Sequence, residues 1–119
     1  ENKENLIILG LLSQADLVRF YRTLDFIILS SRSDCFPLVQ AEAMLCRVPA
    51  IVTDIPGLRY LVKRTEFGAI SKREDPKNLA KTIIDAVSKR NAIMIKYKKV
   101  KSVLNNKKNV EKIRKFIES

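Results

Sequence analysis

Residues 26–53 read FIILSSRSDCFPLVQAEAMLCRVPAIVT. The stretch begins with a short apolar run, passes through a polar loop into good helix formers, and ends in a second apolar run. Short, wholly apolar runs are typical of parallel strands that are buried on both faces. Pro37 suits the first turn of a helix because its missing N–H group costs little there. The stretch therefore predicts a strand–loop–helix–strand unit, with the helix at about 38–46.

Apolar runs and helical periodicity extend this alternation on both sides. Strands are predicted at 6–9 and 68–70, where short apolar runs adjoin a glycine. Apolar residues at helical spacing predict helices at about 14–24 and from residue 76 onward, and a short helix is expected at about 58–63. Alternating strands and helices favour a parallel sheet covered on both faces. We therefore predict an α/β, Rossmann-like three-layer fold with a parallel sheet of about four strands.

Turn and cap residues set the boundaries of these elements. Residues 54–57 (DIPG) are predicted to form a turn from their composition. Asp75 is predicted to cap a helix that Pro76 begins. We assign the Rossmann-like domain to residues 1–88, and we expect residues 89–119 to form basic amphipathic helices that pack on it or extend from it.

The composition excludes several classes of protein. The chain has 119 residues, 46% of them apolar, which suits one domain with a real core. No apolar run approaches the roughly 18 residues of a membrane span, and the opening ENKE does not resemble a secretory leader. Two cysteines without zinc or redox spacing favour a reducing, cytoplasmic location. Because the chain has no histidine, any chemistry must use carboxylates, hydroxyls, backbone groups and basic side chains.

Positive charge is concentrated at the carboxyl end of the chain. Residues 89–119 hold 11 of the 23 Lys and Arg residues but only two of the 13 acids. A solvated face of amphipathic helices is the most ordinary interpretation. A contact with the anionic inner face of a membrane is the second. Nucleic-acid binding comes last, because only electrostatic attraction favours it and no known motif is present.

The loop and helix that follow the strand at 26–29 carry the candidate chemistry. Free N–H groups at a helix start attract anions such as phosphate. Asp34 in the loop and Glu42 in the helix bracket that point. An anion site between carboxylates suits a ligand that carries both phosphate and hydroxyl groups, such as a nucleotide sugar. The alternative is a solvated loop acid and a helix-surface acid.

The residue pattern here resembles a known enzyme family. Seven residues separate Asp34 from Glu42, and Glu42 opens the triplet Glu42-Ala43-Met44. This spacing resembles the signature of glycosyltransferase group 1 enzymes, which form family 4 of the GT-B transferases. The likeness runs from about residue 6 to about residue 87 in matching order. It implies the donor-binding, C-terminal half of a GT-B fold, truncated at its N-terminus.

The resemblance also implies an activity. The family's enzymes bind a nucleotide-diphosphate sugar and retain the anomeric configuration, usually without an essential metal. We therefore expect a retaining hexosyltransferase that acts on a saccharide or a lipid-linked acceptor. Its acceptor domain would lie before residue 1, so the fragment alone would be inactive. Under this interpretation no nucleic-acid partner is expected.

By resemblance, individual residues take individual roles. Glu42 would bind the ribose hydroxyls and Asp34 the donor-sugar hydroxyls, and both are the catalytic candidates. Gly10 and Leu11 would lie near the base. The remaining nucleotide-sugar-binding candidates surround the helix start, where backbone N–H groups would meet the sugar and the diphosphate: Ser33, Cys35, Phe36, Pro37, Leu38 and Val39.

Several positions depart from the family pattern. Asp34 stands where the family usually has Glu, and Cys35 and Arg47 stand where it usually has Gly. Asp is one methylene shorter than Glu, so its reach to a sugar hydroxyl changes by roughly an ångström. Two alternatives therefore stay open: a degenerate, non-catalytic domain that binds a partner, and a basic nucleic-acid-binding module.

Overall fold

The computed structural model describes residues 5–31 and 38–104. The sequence-predicted site residues Ser33, Asp34, Cys35, Phe36 and Pro37 lie outside these ranges, as does the part of the predicted basic helices after residue 104. The described elements, in chain order, are α1 (Gln14–Thr23), β1 (Ile27–Leu29), α2 (Leu38–Leu45), β2 (Ala50–Thr53), α3 (Pro56–Thr65), β3 (Gly68–Ser71), α4 (Pro76–Ser88), α5 (Arg90–Met94) and α6 (Tyr97–Leu104).

The three strands form one parallel sheet in the order β1-β2-β3. Ile28 pairs with Ile51, and Ile51 pairs in turn with Ala69. All four residues of β2 are buried, as expected of a central parallel strand with helices on both faces. The predicted α/β, Rossmann-like class is therefore confirmed.

The predicted strand at 6–9 is wrong. These residues form no strand, and their side chains are exposed, with Ile7 at 78% and Ile8 at 86%. An apolar run forms a strand only where a neighbouring strand can pair with its backbone N–H and C=O groups. The apolar run does not show whether such a neighbour exists. The sheet of the described residues consequently has three strands and not four.

The predicted turn at residues 54–57 is shorter than expected. Pro56 and Gly57 already belong to α3, which runs to Thr65 and not to residue 63. Pro56 takes the first helical position, where its fixed φ angle suits the helix and its missing N–H costs nothing. The composition of the segment indicated a turn correctly, but proline marks a helix start as readily as a turn.

Helix α4 begins as the sequence predicts. The carboxylate Oδ1 of Asp75 accepts a hydrogen bond of 2.9 Å from the backbone N–H of Asn78, and Pro76 occupies the first turn. This bond satisfies one of the helix's free N–H groups. Helix α4 is thereby fixed directly after β3, at one edge of the sheet.

The main core lies between the sheet and helices α2, α3 and α6. Phe67 and Met44 are fully buried there, and Val100 and Leu104 of α6 belong to the same cluster. The Tyr97 hydroxyl donates a hydrogen bond of 2.9 Å to the carbonyl oxygen of Leu45. The first helices of the basic segment are thus part of the packed structure.

Gly68 is required by the close approach of β3 to β2. A Cβ atom at this position would lie 2.0 Å from the carbonyl oxygen of Ala50. Atoms at that distance overlap, and the neighbour is backbone of the central strand, which has no room to yield. Glycine therefore fixes where β3 begins.

Candidate functional site

The carboxyl ends of all three strands meet at one cavity of about 260 Å³. In open parallel sheets this edge is where ligands bind. Ser30 and Ser31 follow β1, Thr53 ends β2, and Lys72 follows β3. The start of α4 closes the cavity, which is lined by Ser30, Ser31, Thr53, Lys72, Glu74, Asp75, Pro76 and Leu79.

Hydrogen bonds to backbone carbonyl groups fix the residues that form the wall of this cavity. The Thr53 hydroxyl donates to the carbonyl oxygen of Ser31 over 2.8 Å, which ties the end of β2 to the loop after β1. The backbone N–H of Asp54 donates to the carbonyl oxygen of Ser71 over 2.8 Å, which ties β2 to β3. A wall held by such bonds is preorganised, so a ligand need not order it.

Lys72 brings a cation to the cavity, and its backbone is fixed. Its N–H donates to the side-chain Oδ1 of Asn78 over 2.7 Å, so the residue is tied to the first turn of α4. The acids of the same wall are Glu74 and Asp75, and Asp75 is engaged as the cap of α4. Lys72 was not predicted as a site residue, because the chain has many lysines. Its position directly after β3 was the signal that could have identified it.

Of the predicted site residues that the structure describes, Glu42 has the least ordinary environment. Its side chain is 0% exposed, in the middle of α2. The Tyr21 hydroxyl of α1 donates a long hydrogen bond of 3.4 Å to Glu42 Oε2. Glu42 Oε1 has no hydrogen-bond partner within the described structure. The alternative interpretation, a helix-surface acid, is therefore wrong for this residue.

Burial shifts the proton equilibria of both members of this pair. Loss of solvent raises the pKa of Glu42 from 4.5 to about 7, and the hydrogen bond from Tyr21 lowers it only in part. Burial, then the nearby Glu42 charge, raises the pKa of Tyr21 to about 12. Glu42 is thus partly protonated at neutral pH. A buried carboxyl with a free oxygen and a raised pKa is typical of functional sites.

The other described candidates lie in ordinary surroundings. Leu38 is half-buried against the main core, and Val39 is 42% exposed at the start of α2. Gly10 and Leu11 are exposed ahead of α1, and Gly10 has a φ angle of 71°. Tyr21 was not among the predicted site residues, because its contact with Glu42 joins residues 21 positions apart.

Comparison with known proteins identifies the family. The sequence family described as "Glycosyl transferases group 1" matches residues 1–110 of the chain. The chain belongs to this family. The resemblance predicted from the spacing of Asp34 and Glu42 is thereby confirmed, and the α/β sheet of the described residues agrees with it.

Relatives of this group 1 chain carry glycosyltransferase names. An uncharacterized glycosyltransferase of Methanocaldococcus jannaschii is 29% identical over 87 residues, which are 73% of this chain and 25% of that protein. A D-inositol 3-phosphate glycosyltransferase of Mycobacterium sp. strain KMS is 35% identical over 82 residues, 69% of this chain and 19% of the relative. One from Mycolicibacterium vanbaalenii is 33% identical over 76 residues. The chain spans a quarter or less of these relatives.

Two further features of this group 1 chain concern the described residues alone. Within 5–31 and 38–104, no helix is both long and apolar enough to cross a lipid bilayer. The same ranges hold no group of three or more Cys, Asp or Glu side chains arranged to ligate a metal ion.

Proposed function

We propose that this chain is the nucleotide-sugar-binding half of a retaining GT-B glycosyltransferase. The whole enzyme would transfer a hexose to a saccharide or a lipid-linked acceptor, and an acceptor domain would supply the other side of the cleft. The family membership supports the transferase class. The donor role is supported by the described site itself.

The observation that carries this proposal is the cavity at the carboxyl edge. It gathers the ends of all three strands, two serine hydroxyls and the Lys72 cation in one place. A diphosphate needs positive charge and hydrogen-bond donors, and this edge supplies both. Helix α2 also begins at this edge, and free N–H groups at a helix start favour an anion.

Glu42 is proposed to bind the ribose hydroxyls of the nucleotide. Its Oε1 has no partner within the described residues, and a charge-assisted hydrogen bond from a hydroxyl would satisfy it. Because the side chain is 0% exposed, the ligand must open a path beside α2. A change in side-chain packing beside α2 on nucleotide binding is therefore part of the proposed role of Glu42.

The remaining roles stay as the resemblance implies them. Asp34 would contact the donor sugar, and backbone groups near residues 33–39 would contact the diphosphate. Gly10 and Leu11 would lie beside the base. Stabilisation of the leaving diphosphate by preorganised positive groups would carry the chemistry, without an essential metal. The basic carboxyl-terminal segment would hold the enzyme at the inner face of an anionic membrane.

A titration of the intact protein with nucleoside diphosphates tests the donor role. We expect Lys72→Gln and Glu42→Gln each to raise the Kd by about tenfold, since each removes one charge-assisted contact. Lys81→Gln is the matched control for Lys72, because it removes the same charge from α4 outside the cavity lining. Equal affinities in all three variants, or saturable binding of a nucleic acid but of no nucleotide, would refute the donor role.

A non-catalytic partner-binding domain is the second candidate function. The observation in its favour is the complete burial of Glu42, whose carboxyl group reaches Tyr21 rather than solvent. This candidate predicts that the intact protein binds no nucleoside diphosphate. It also predicts that Glu42→Gln changes the stability of the fold without changing any ligand affinity.

A further inference from the structure

A second cavity, of about 510 Å³, lies at the opposite edge of the sheet. Its lining includes residues shortly before strands, such as Leu24, three positions before the start of β1, and Arg47, three positions before the start of β2. We call it the amino-edge cavity; its lining residues are Val18, Arg22, Leu24, Leu45, Cys46, Arg47, Arg90 and Met94. A strand of three or four residues separates the two edges by roughly 10–13 Å.

Three arginines from three separate parts of the chain line the amino-edge cavity. Arg22 is in the last turn of α1, Arg47 follows α2, and Arg90 begins α5. Neither Arg22 nor Arg47 forms an ion pair with any carboxylate of the described chain. Arg22 instead contacts the Cys46 thiol, and the Arg47 guanidinium lies 5.0 Å above the centre of the Tyr97 ring.

Arg90 is only partly neutralised. Its Nη2 lies 3.5 Å from Asp25 Oδ1, but the Asp25 side chain is 83% exposed, and such exposed pairs contribute little. The Nε atom of Arg90 is buried and has no hydrogen-bond partner within the described residues. A buried donor without a partner is costly, so this atom favours an acceptor brought by a ligand.

Cations at helix ends have an ordinary explanation that must be weighed here. Arg22 and Arg47 lie at the carboxyl ends of α1 and α2, where the helix dipole favours positive charge. Arg90 begins α5 but also follows the end of α4 by two residues, as Arg47 follows α2, so the same explanation applies to it. The explanation does not account for the cavity that the three residues line, nor for the buried Nε of Arg90 without a partner in the described residues. Several arginines around one cavity are typical of phosphate recognition, because each guanidinium group offers planar N–H donors and a fixed positive charge.

We propose that the amino-edge cavity binds the phosphate group of a phosphate ester. The volume exceeds that of a phosphate ion and falls within the range of small-molecule sites, so the ester can carry a further organic group. Two sources share this chemistry: a soluble phosphorylated metabolite and the head group of an anionic lipid. The inference does not depend on the donor-binding proposal, because it concerns the other edge of the sheet.

Cys46 provides a readout that needs no substitution. It lines the cavity and is partly exposed. We expect inorganic phosphate, titrated into the intact protein at constant ionic strength with chloride, to slow the alkylation of Cys46 in a saturable manner. Peptide mass spectrometry separates Cys46 from Cys35. Alkylation of Cys46 that is insensitive to phosphate would overturn the proposal.

The double variant Arg22→Gln with Arg47→Gln tests the guanidinium groups directly. We expect it to raise the phosphate Kd by about tenfold or more. The control is Arg19→Gln with Lys77→Gln, which removes the same net charge from exposed positions outside the cavity. An equal loss in both variants would mean general electrostatic attraction and would overturn the proposal. A loss of stability without a change in phosphate affinity would leave only the helix-dipole explanation.

Vesicles distinguish the two sources of phosphate. The intact protein is sedimented with phosphatidylcholine vesicles, with and without phosphatidic acid. Sedimentation that depends on phosphatidic acid and is lost in the Arg22/Arg47 variant, but not in its control, assigns the cavity to a lipid head group. Phosphate protection of Cys46 without such sedimentation assigns it to a soluble ester. Alkylation of Cys46 that phosphate does not slow refutes the site whatever the vesicles show, and it leaves nucleotide binding at the carboxyl edge untouched.

Discussion

Replacing Glu42 by glutamine should change how the stability of the protein depends on pH. The pKa of Glu42 rises from 4.5 to about 7 in the folded state because the carboxyl is buried. The folded state therefore prefers the protonated form. Below about pH 4.5 Glu42 is protonated in both the folded and the unfolded chain, so it does not lower the free energy of unfolding. Between about pH 4.5 and about 7 the unfolded chain ionises first, and the free energy of unfolding falls. Above about pH 7 Glu42 is ionised in both states and the loss is complete.

The magnitude follows from that difference in pKa. Each tenfold change in an acid constant corresponds to about 1.4 kcal/mol, so ionised Glu42 destabilises the folded state by about 3 kcal/mol. Glutamine has a similar shape and can still accept the hydrogen bond from Tyr21, but it carries no charge. Relative to the wild type, Glu42→Gln should gain about 3 kcal/mol at pH 8 but under about 1 kcal/mol at pH 5.

Urea unfolding at a series of pH values measures this difference. Any fixed cost of the new amide group is the same at every pH, so the pH dependence and not the absolute stability is the test. Glu66→Gln is a control of opposite sign. Hydrogen bonds and charges from Lys99 and Lys96 lower the pKa of Glu66 in the folded state. Glu66→Gln should therefore be less stable than the wild type above the pKa that Glu66 has in the unfolded chain. The difference should disappear as pH falls through the lowered pKa of the folded state. A Glu42→Gln difference that stays constant from pH 5 to pH 8 would refute the assigned burial.

Three further substitutions test contacts described above. Tyr21→Phe removes the hydrogen bond that lowers the pKa of Glu42, so the carboxyl carbon of Glu42 should titrate at higher pH in NMR; an unchanged midpoint would contradict the contact. Gly68→Ala forces a Cβ atom to 2.0 Å from the Ala50 carbonyl oxygen, and it should destabilise the fold by at least about 2 kcal/mol in urea unfolding. Its control, Ala69→Gly in the same strand, should destabilise the fold by about 1 kcal/mol. Equal losses of stability would mean that β3 can move away from β2 and relieve the clash. Asp75→Ala removes the cap of α4 and should cost about 1 kcal/mol, and Asp85→Ala, later in the same helix, serves as its control in the same thermal or urea assay.

Local signals in the sequence predicted the elements that depend on local chemistry. Asp75 caps α4 and Pro76 occupies its first turn, so these two neighbouring residues are enough to mark where the helix starts. The central strand β2 is buried on both faces, and its unbroken apolar run indicated this. Residues 6–9 have the same apolar character but lie exposed, because a strand also needs a partner that the run itself does not specify.

The candidate site was predicted only in part for a similar reason. Spacing pointed to Glu42 through a family pattern, but its burial against Tyr21 comes from the packing of α1 on α2. Lys72 and Thr53 share a cavity because parallel strands end at one edge, and their positions at the ends of strands were the one local signal of this. Contacts between residues far apart in the chain therefore remained beyond the reach of local patterns.

The bond from Tyr97 to Leu45 has a consequence for the order of events during synthesis. The two residues are 52 positions apart, and Val100 and Leu104 fill the same core as the central strand. A ribosome-bound chain that ends at α4 would hold the sheet but leave that part of the core open to water. Such exposed apolar surface invites association with other chains. This part of the core therefore closes only after α6 has emerged from the ribosome, so the synthesis of α6 ends the exposure of these apolar residues.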